Sequence, residues 1–152
     1  MTNYPAVLRG LRTFWETVDP APAGLADRVL LALQLRDLDF ELLRSHDPVE
    51  LVGARGAGST ATLTFSSESF TMMVSLSPSD HDSRRLDGWL APAAALPVEL
   101  RTLSGIRATV ADPNGRFAFD DVPAGPARLV VHPPDAHHTL LDHSVATPAF
   151  EI

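Results

Sequence analysis

Reactive side chains are densest between residues 132 and 143, where His132, Asp135, His137, His138, Asp142 and His143 fall within twelve positions. Imidazole and carboxylate are the usual ligands of zinc and related divalent ions. The tract contains prolines, lies between two expected strands and lacks an H-E-x-x-H spacing. It therefore reads as a solvated hairpin loop, and no metal ligand is assigned to it. Asp80, His81 and Asp82 could serve acid–base chemistry, but they sit at a polar loop tip with no nucleophile motif beside them. Serines are plentiful without a G-x-S-x-G elbow. Asp112-x-Asn114-Gly115 has the opening of a calcium loop without its other ligands or the closing Glu, and a turn accounts for every residue in it. No catalytic, metal or cofactor residue is expected, so the chain reads as non-enzymatic.

Composition narrows the field further. The 152 residues include no cysteine, which removes disulfides, thiol catalysis and cysteine-based zinc sites. All twelve basic residues are arginine, so there is no lysine for a Schiff base or a P-loop. A formal net charge of −7 argues against nucleic acid as a partner, because phosphate neutralisation needs clustered positive charge. No stretch approaches the roughly 20 apolar residues that span a bilayer, and the first residues lack a signal-peptide core. A cytoplasmic protein is expected. The Ala, Pro, Gly and Arg bias suggests a GC-rich genome.

The elements that position these side chains change period along the chain. Over residues 6–18, Val7, Leu11, Phe14 or Trp15, and Val18 recur at helical spacing, with Arg9, Arg12 and Glu16 opposite. Asp19-Pro20-Ala21-Pro22 ends that helix. A second helix is expected from Pro22 to Arg44, with Leu31, Leu35, Leu38 and Leu42 on one stripe and Val29, Leu33, Phe40 and Leu43 on a neighbouring one. Beyond it the period becomes 2. Strands are expected over Ala61–Phe65, Phe70–Leu76, Arg85–Leu90, Pro97–Leu103, Ile106–Ala111, Arg116–Phe119, Arg128–His132 and Val145–Ile152. Short strands at this spacing indicate a β-sandwich. The organisation reads as a helical segment over 1–47, a linker over 48–58 and a β-sandwich over 59–152. Trp89 falls out of phase with Leu86 and Leu90, on the outer face where the helices are expected to dock.

Within the β region, Leu86-Asp87-Gly88-Trp89-Leu90, Val98-Glu99-Leu100, the hairpin Asp112-Pro113-Asn114-Gly115-Arg116-Phe117-Ala118-Phe119 and the turn Val122-Pro123-Ala124-Gly125 before Arg128-Leu129-Val130-Val131 form one pattern. It resembles the carboxypeptidase-regulatory-like domains of transthyretin-like β-sandwich type over about a third of the chain. The usual aromatic after the Pro-x-Gly turn is replaced by Pro126-Ala127-Arg128. The resemblance implies a mainly β, transthyretin-like sandwich preceded by two α-helices, acting as a non-catalytic accessory. The segments around Trp15–Pro20 and Arg28–Leu33 also resemble small actinobacterial proteins encoded near sigma factors. That second resemblance implies regulation, with a sigma factor or another component of the same system as partner and an anti-sigma-like role.

The expected function is thus a regulatory or adaptor protein that binds a protein partner through its N-terminal helices. The partner-binding residues are Trp15, Leu31, Leu35, Leu38 and Leu42. The alternative is a structural or peptide- or carbohydrate-binding sandwich in which the helices only cap a sheet.

Overall fold

The structure, a computed structural model, describes residues 4–34, 39–50, 60–79, 83–134 and 141–152. Helix α1 spans Tyr4–Val18 and α2 spans Leu25–Leu33. Eleven strands follow among the described residues: β1 Phe40–Leu42, β2 Arg44–Glu50, β3 Ala61–Ser66, β4 Thr71–Pro78, β5 Ser83–Ala91, β6 Pro97–Thr102, β7 Gly105–Val110, β8 Arg116–Pro123, β9 Pro126–Val131, β10 Ser144–Ala146 and β11 Phe150–Glu151. They form two sheets. One runs β1-β10-β9-β6-β7 with β11 also on β9, and the other runs β2-β3-β4-β5-β8. The protein is mainly β, with two helices at its N-terminal end. Among the described residues no helix is long and apolar enough to cross a membrane.

Alternation explains why the sheets face each other. In β4, Met72, Val74 and Leu76 are buried while Thr71, Met73 and Ser75 point outward. Val98, Leu100, Leu129, Val131 and Val145 of the first sheet meet Phe65, Met72, Val74, Leu86, Phe117 and Phe119 of the second in one core. The β7–β8 connection is the expected turn. Asp112 Oδ1 accepts from the backbone N–H of Asn114 at 2.8 Å and of Arg116 at 2.9 Å, and Gly115 takes φ +76°. In β8 a bulge sets Asp120 and Asp121 against one residue of β5, which returns Val122 to the core.

The second helix is shorter than expected. It ends at Leu33, and Phe40–Leu42 and Arg44–Glu50 are strands, so Leu42 lies on β1 and not on a helical stripe. The reason is tertiary. β1 pairs in parallel with β10, and Leu43, 1% exposed, leaves that pairing to enter the core between the sheets. Strand pairing on both sides of this crossover, with Leu43 buried between, overrides a helical spacing that leucines satisfy equally well. The sheets accordingly begin at Phe40, within the segment expected to be helical, and β2 extends to Glu50 where a linker was expected. The C-terminal strand expected over Val145–Ile152 is two short ones, β10 and β11, each paired with β9.

Candidate docking surface

Two groups of residues are arranged for contact beyond the core: the apolar faces of the helices and a groove on the outer face of the second sheet.

Helix α1 begins with Pro5 in its first turn, where a missing N–H costs nothing. At 100° per residue, Tyr4, Val7, Leu8, Leu11, Phe14, Trp15 and Val18 fall within an arc of about 120°. The opposite side carries Arg9, Arg12, Thr13, Glu16 and Thr17. It is held locally: Arg12 donates to Glu16 at 3.0 Å, and the hydroxyls of Thr13 and Thr17 donate to the carbonyls of Arg9 and Thr13. No α1 residue is buried. Every member of the apolar stripe is between 47% and 71% exposed, with Trp15 at 57%. Phe14 and Trp15 pack edge to face, with centroids 5.8 Å apart. Isolated helices of this length are marginal in water, so an unburied stripe leaves most of α1's stability to an external contact.

Helix α2 is different. It lies against β9, and Leu31 is fully buried. Alternation in β9 sends Leu129 and Val131 into the core and Val130 outward, where Val130, Ala146 and Phe40 form a small second cluster. A polar clamp completes the seat. Arg101, 7% exposed, donates from Nη1 to the carbonyl of Gln34 at 2.6 Å, placing its charge at the carbonyl end of α2. Its Nε and Nη2 reach Glu99 Oε2 at 3.0 and 2.7 Å. His132 Nδ1 meets Ser144 Oγ at 2.9 Å, and its Nε2 lies 3.3 Å from Glu99 Oε1. Arg128 faces Arg101 across the β6–β9 pairing, and its Nε is buried without a partner. Burial and the facing charge both lower its pKa.

Burial pushes the Glu99 carboxyl up, but the hydrogen bonds from Arg101 and the His132 ring beside it outweigh that and hold the group below the usual carboxylate value. A depressed carboxylate contributes stability above its unfolded pKa and loses it as pH falls through the folded one. Acidification below about pH 4.3 is therefore expected to loosen the clamp in the wild type. Glu99→Gln removes that component, flattening the acid limb of a urea-midpoint-against-pH profile. Superimposable acid limbs for the two proteins would contradict the assignment.

The expected partner residues separate accordingly. Trp15 stands on the α1 stripe. Leu31 is an anchor of α2 and is unavailable to a partner, while Leu42 is 54% exposed but on a strand. Leu35 and Leu38 lie outside the described residues, as do His137, His138 and the Asp80–Asp82 tip. Tyr4 precedes the expected helix and Leu8 lies inside it but off the ladder that runs from Val7 to Leu11; Pro5 as a first-turn residue is the signal that extends the stripe to Tyr4. The outward side of α2, with Leu25, Val29, Leu30 and Leu33 between 46% and 56% exposed, continues the apolar surface. Among the described residues no group of three His, Asp or Glu side chains stands together to hold a metal ion.

Trp89 does face outward, but the helix docks on the other sheet. Instead of lying beneath a helix, Trp89 lines an open groove of about 490 Å³ with Arg85, Asp87, Arg116 and Ala118. Register places it between Met73 and Arg116. Arg85 donates to both Asp87 oxygens at 3.0–3.1 Å and pairs with Asp120. In comparisons with protein-family models, curated proteins and solved structures, nothing matches this chain.

Proposed function

We propose that the protein is a non-enzymatic cytoplasmic adaptor or regulator that docks a protein partner through its N-terminal helices, α1 above all. One observation carries the reading: seven large apolar side chains on one face of α1, all about half exposed or more. The concave surface formed by α2 with Ala21, Pro22 and Gly24 adds an adjoining apolar ledge. Trp and aromatic clusters of this kind dominate binding energy where a helix enters a groove. The formal charge of −7 steers such encounters toward a basic partner surface. A sigma factor of the same host, implied by the sequence resemblance, is the first partner to test, and an anti-sigma-like role is the concrete form of the reading.

The test is affinity capture from the native host with wild-type protein and a Leu11→Asp/Trp15→Asp variant. A partner retained by the wild type and reduced at least tenfold by the variant is expected, with both proteins giving the same sheet circular dichroism. Equal recovery sinks the reading. The Trp89 groove favours a second one, a peptide- or carbohydrate-binding sandwich of transthyretin-like type, since a half-buried ring flanked by Arg and Asp suits a planar polar ligand. In that case Trp89→Ala, and not the α1 variant, abolishes binding.

A further inference from the structure

We infer that in the isolated protein the α1 stripe is covered by α1 of a second copy, the two helices packing antiparallel about a two-fold axis at Leu11. The inference rests on α1 being a docking element and names its occupant when no foreign partner is present.

The stripe is self-complementary in this arrangement alone. Leu11 is the central residue of Tyr4–Val18 and also lies at the centre of the apolar arc. Antiparallel packing about it sets Tyr4 against Val18, Val7 against Trp15 and Leu8 against Phe14 of the other copy. Each bulky ring meets a smaller aliphatic side chain, as interdigitated packing requires. A parallel pair would stack the aromatic halves on each other. The helix dipoles agree: an antiparallel pair opposes them head to tail, a parallel pair aligns them, and Arg9, Arg12 and Glu16 stay on the solvent side in either. An isologous contact of this kind closes on itself.

The chain's own α2 is a poorer cover. Its nine residues span about 13 Å and the fifteen of α1 about 22 Å. A hairpin closed over Asp19–Gly24 would meet Val18, Trp15 and Leu11 and leave Tyr4, Val7 and Leu8 bare. Pro20 and Pro22 stiffen that connection. The exposed stripe offers on the order of 800 Å² per copy, which is the upper limit of what a facing helix can cover and is of the size one partner contributes to a standard interface. A membrane surface is disfavoured by the net charge of −7, since anionic lipid attracts basic helices.

The absence of cysteine makes the test clean. Single Leu11→Cys, Tyr4→Cys and Val18→Cys substitutions are introduced into the full chain, with mass measured by light scattering. The wild type is expected at twice the chain mass. Leu11→Cys should oxidise to a covalent dimer by itself, while Tyr4→Cys and Val18→Cys chains cross-link only when mixed. Leu11→Asp should be monomeric with unchanged sheet circular dichroism. A monomeric wild type, a dimer that survives Leu11→Asp, self-cross-linking at Tyr4→Cys, or binding only to phosphatidylcholine/phosphatidylglycerol vesicles would each overturn the inference. A monomer that still captures its partner through α1 overturns this inference alone. Leu11→Asp/Trp15→Asp leaving both mass and capture unchanged overturns the docking role as well.

Discussion

Gly88→Ala is expected to lower stability by about 3 kcal/mol, which for a chain of this size is a fall of roughly 6–12 °C in Tm. Gly88 lies on β5, opposite Val74 of β4 and Phe117 of β8. A methyl group built at its Cα meets Phe117 Cζ at 2.0 Å and the two Cε atoms at 2.4 and 2.5 Å. Phe117 has nowhere to go. It is 6% exposed and packs edge to face on Phe119, with centroids 6.1 Å apart. The new methyl must displace either a core ring or a central strand, and close-packed interiors yield to neither cheaply. Adding Phe117→Leu in the Gly88→Ala background should recover part of the loss. The resulting coupling energy distinguishes a ring clash from a general weakening of β5. A Gly88→Ala protein melting with the wild type would contradict the packing described here.

Leu31→Ala should have a comparable cost confined to one element. Deleting a fully buried Leu costs about 2–5 kcal/mol. A nine-residue helix has little stability of its own to absorb that loss. The expected result is release of α2 from the first sheet while the sandwich stays folded. Amide exchange over Leu25–Leu33 then rises to near-unprotected rates, with the thermal transition of the sheets shifted little. Leu30→Ala, at a 56% exposed position on the same helix, is expected within about 0.5 kcal/mol of the wild type. Equal exchange in the two variants would mean that Leu31 is not what seats α2. An unfolded Leu31→Ala protein would mean that the helix is integral to the sandwich and not an accessory to it.

How far these features could be read in advance depends on how local their causes are. The alternation of Met72, Val74 and Leu76 with Thr71, Met73 and Ser75, and the turn at Asp112–Gly115, are set by neighbours a few residues away, and both were legible. The end of α2 was not. Leu31 and Leu42 fit a single helical stripe, and what assigns Leu42 to a strand is pairing with β10, about a hundred residues later. Trp89 shows the same division. Its outward orientation follows from the pleat, whereas the sheet chosen by α2 follows from the crossover at Leu43, which has no local mark. Of the expected partner surface, the α1 stripe was legible in outline from periodicity alone. Its exposure was not, because a stripe looks the same in sequence whether it packs inside the chain or outside it.

Hydrogen–deuterium exchange on the complex between this protein and its captured partner tests the central claim most directly. Strong protection of Tyr4–Val18 in the complex, relative to the monomeric Leu11→Asp chain, is expected, with β4, β5 and β8 around Trp89 unchanged. Protection at the Trp89 groove with α1 exchanging as freely as in that monomeric chain would contradict it.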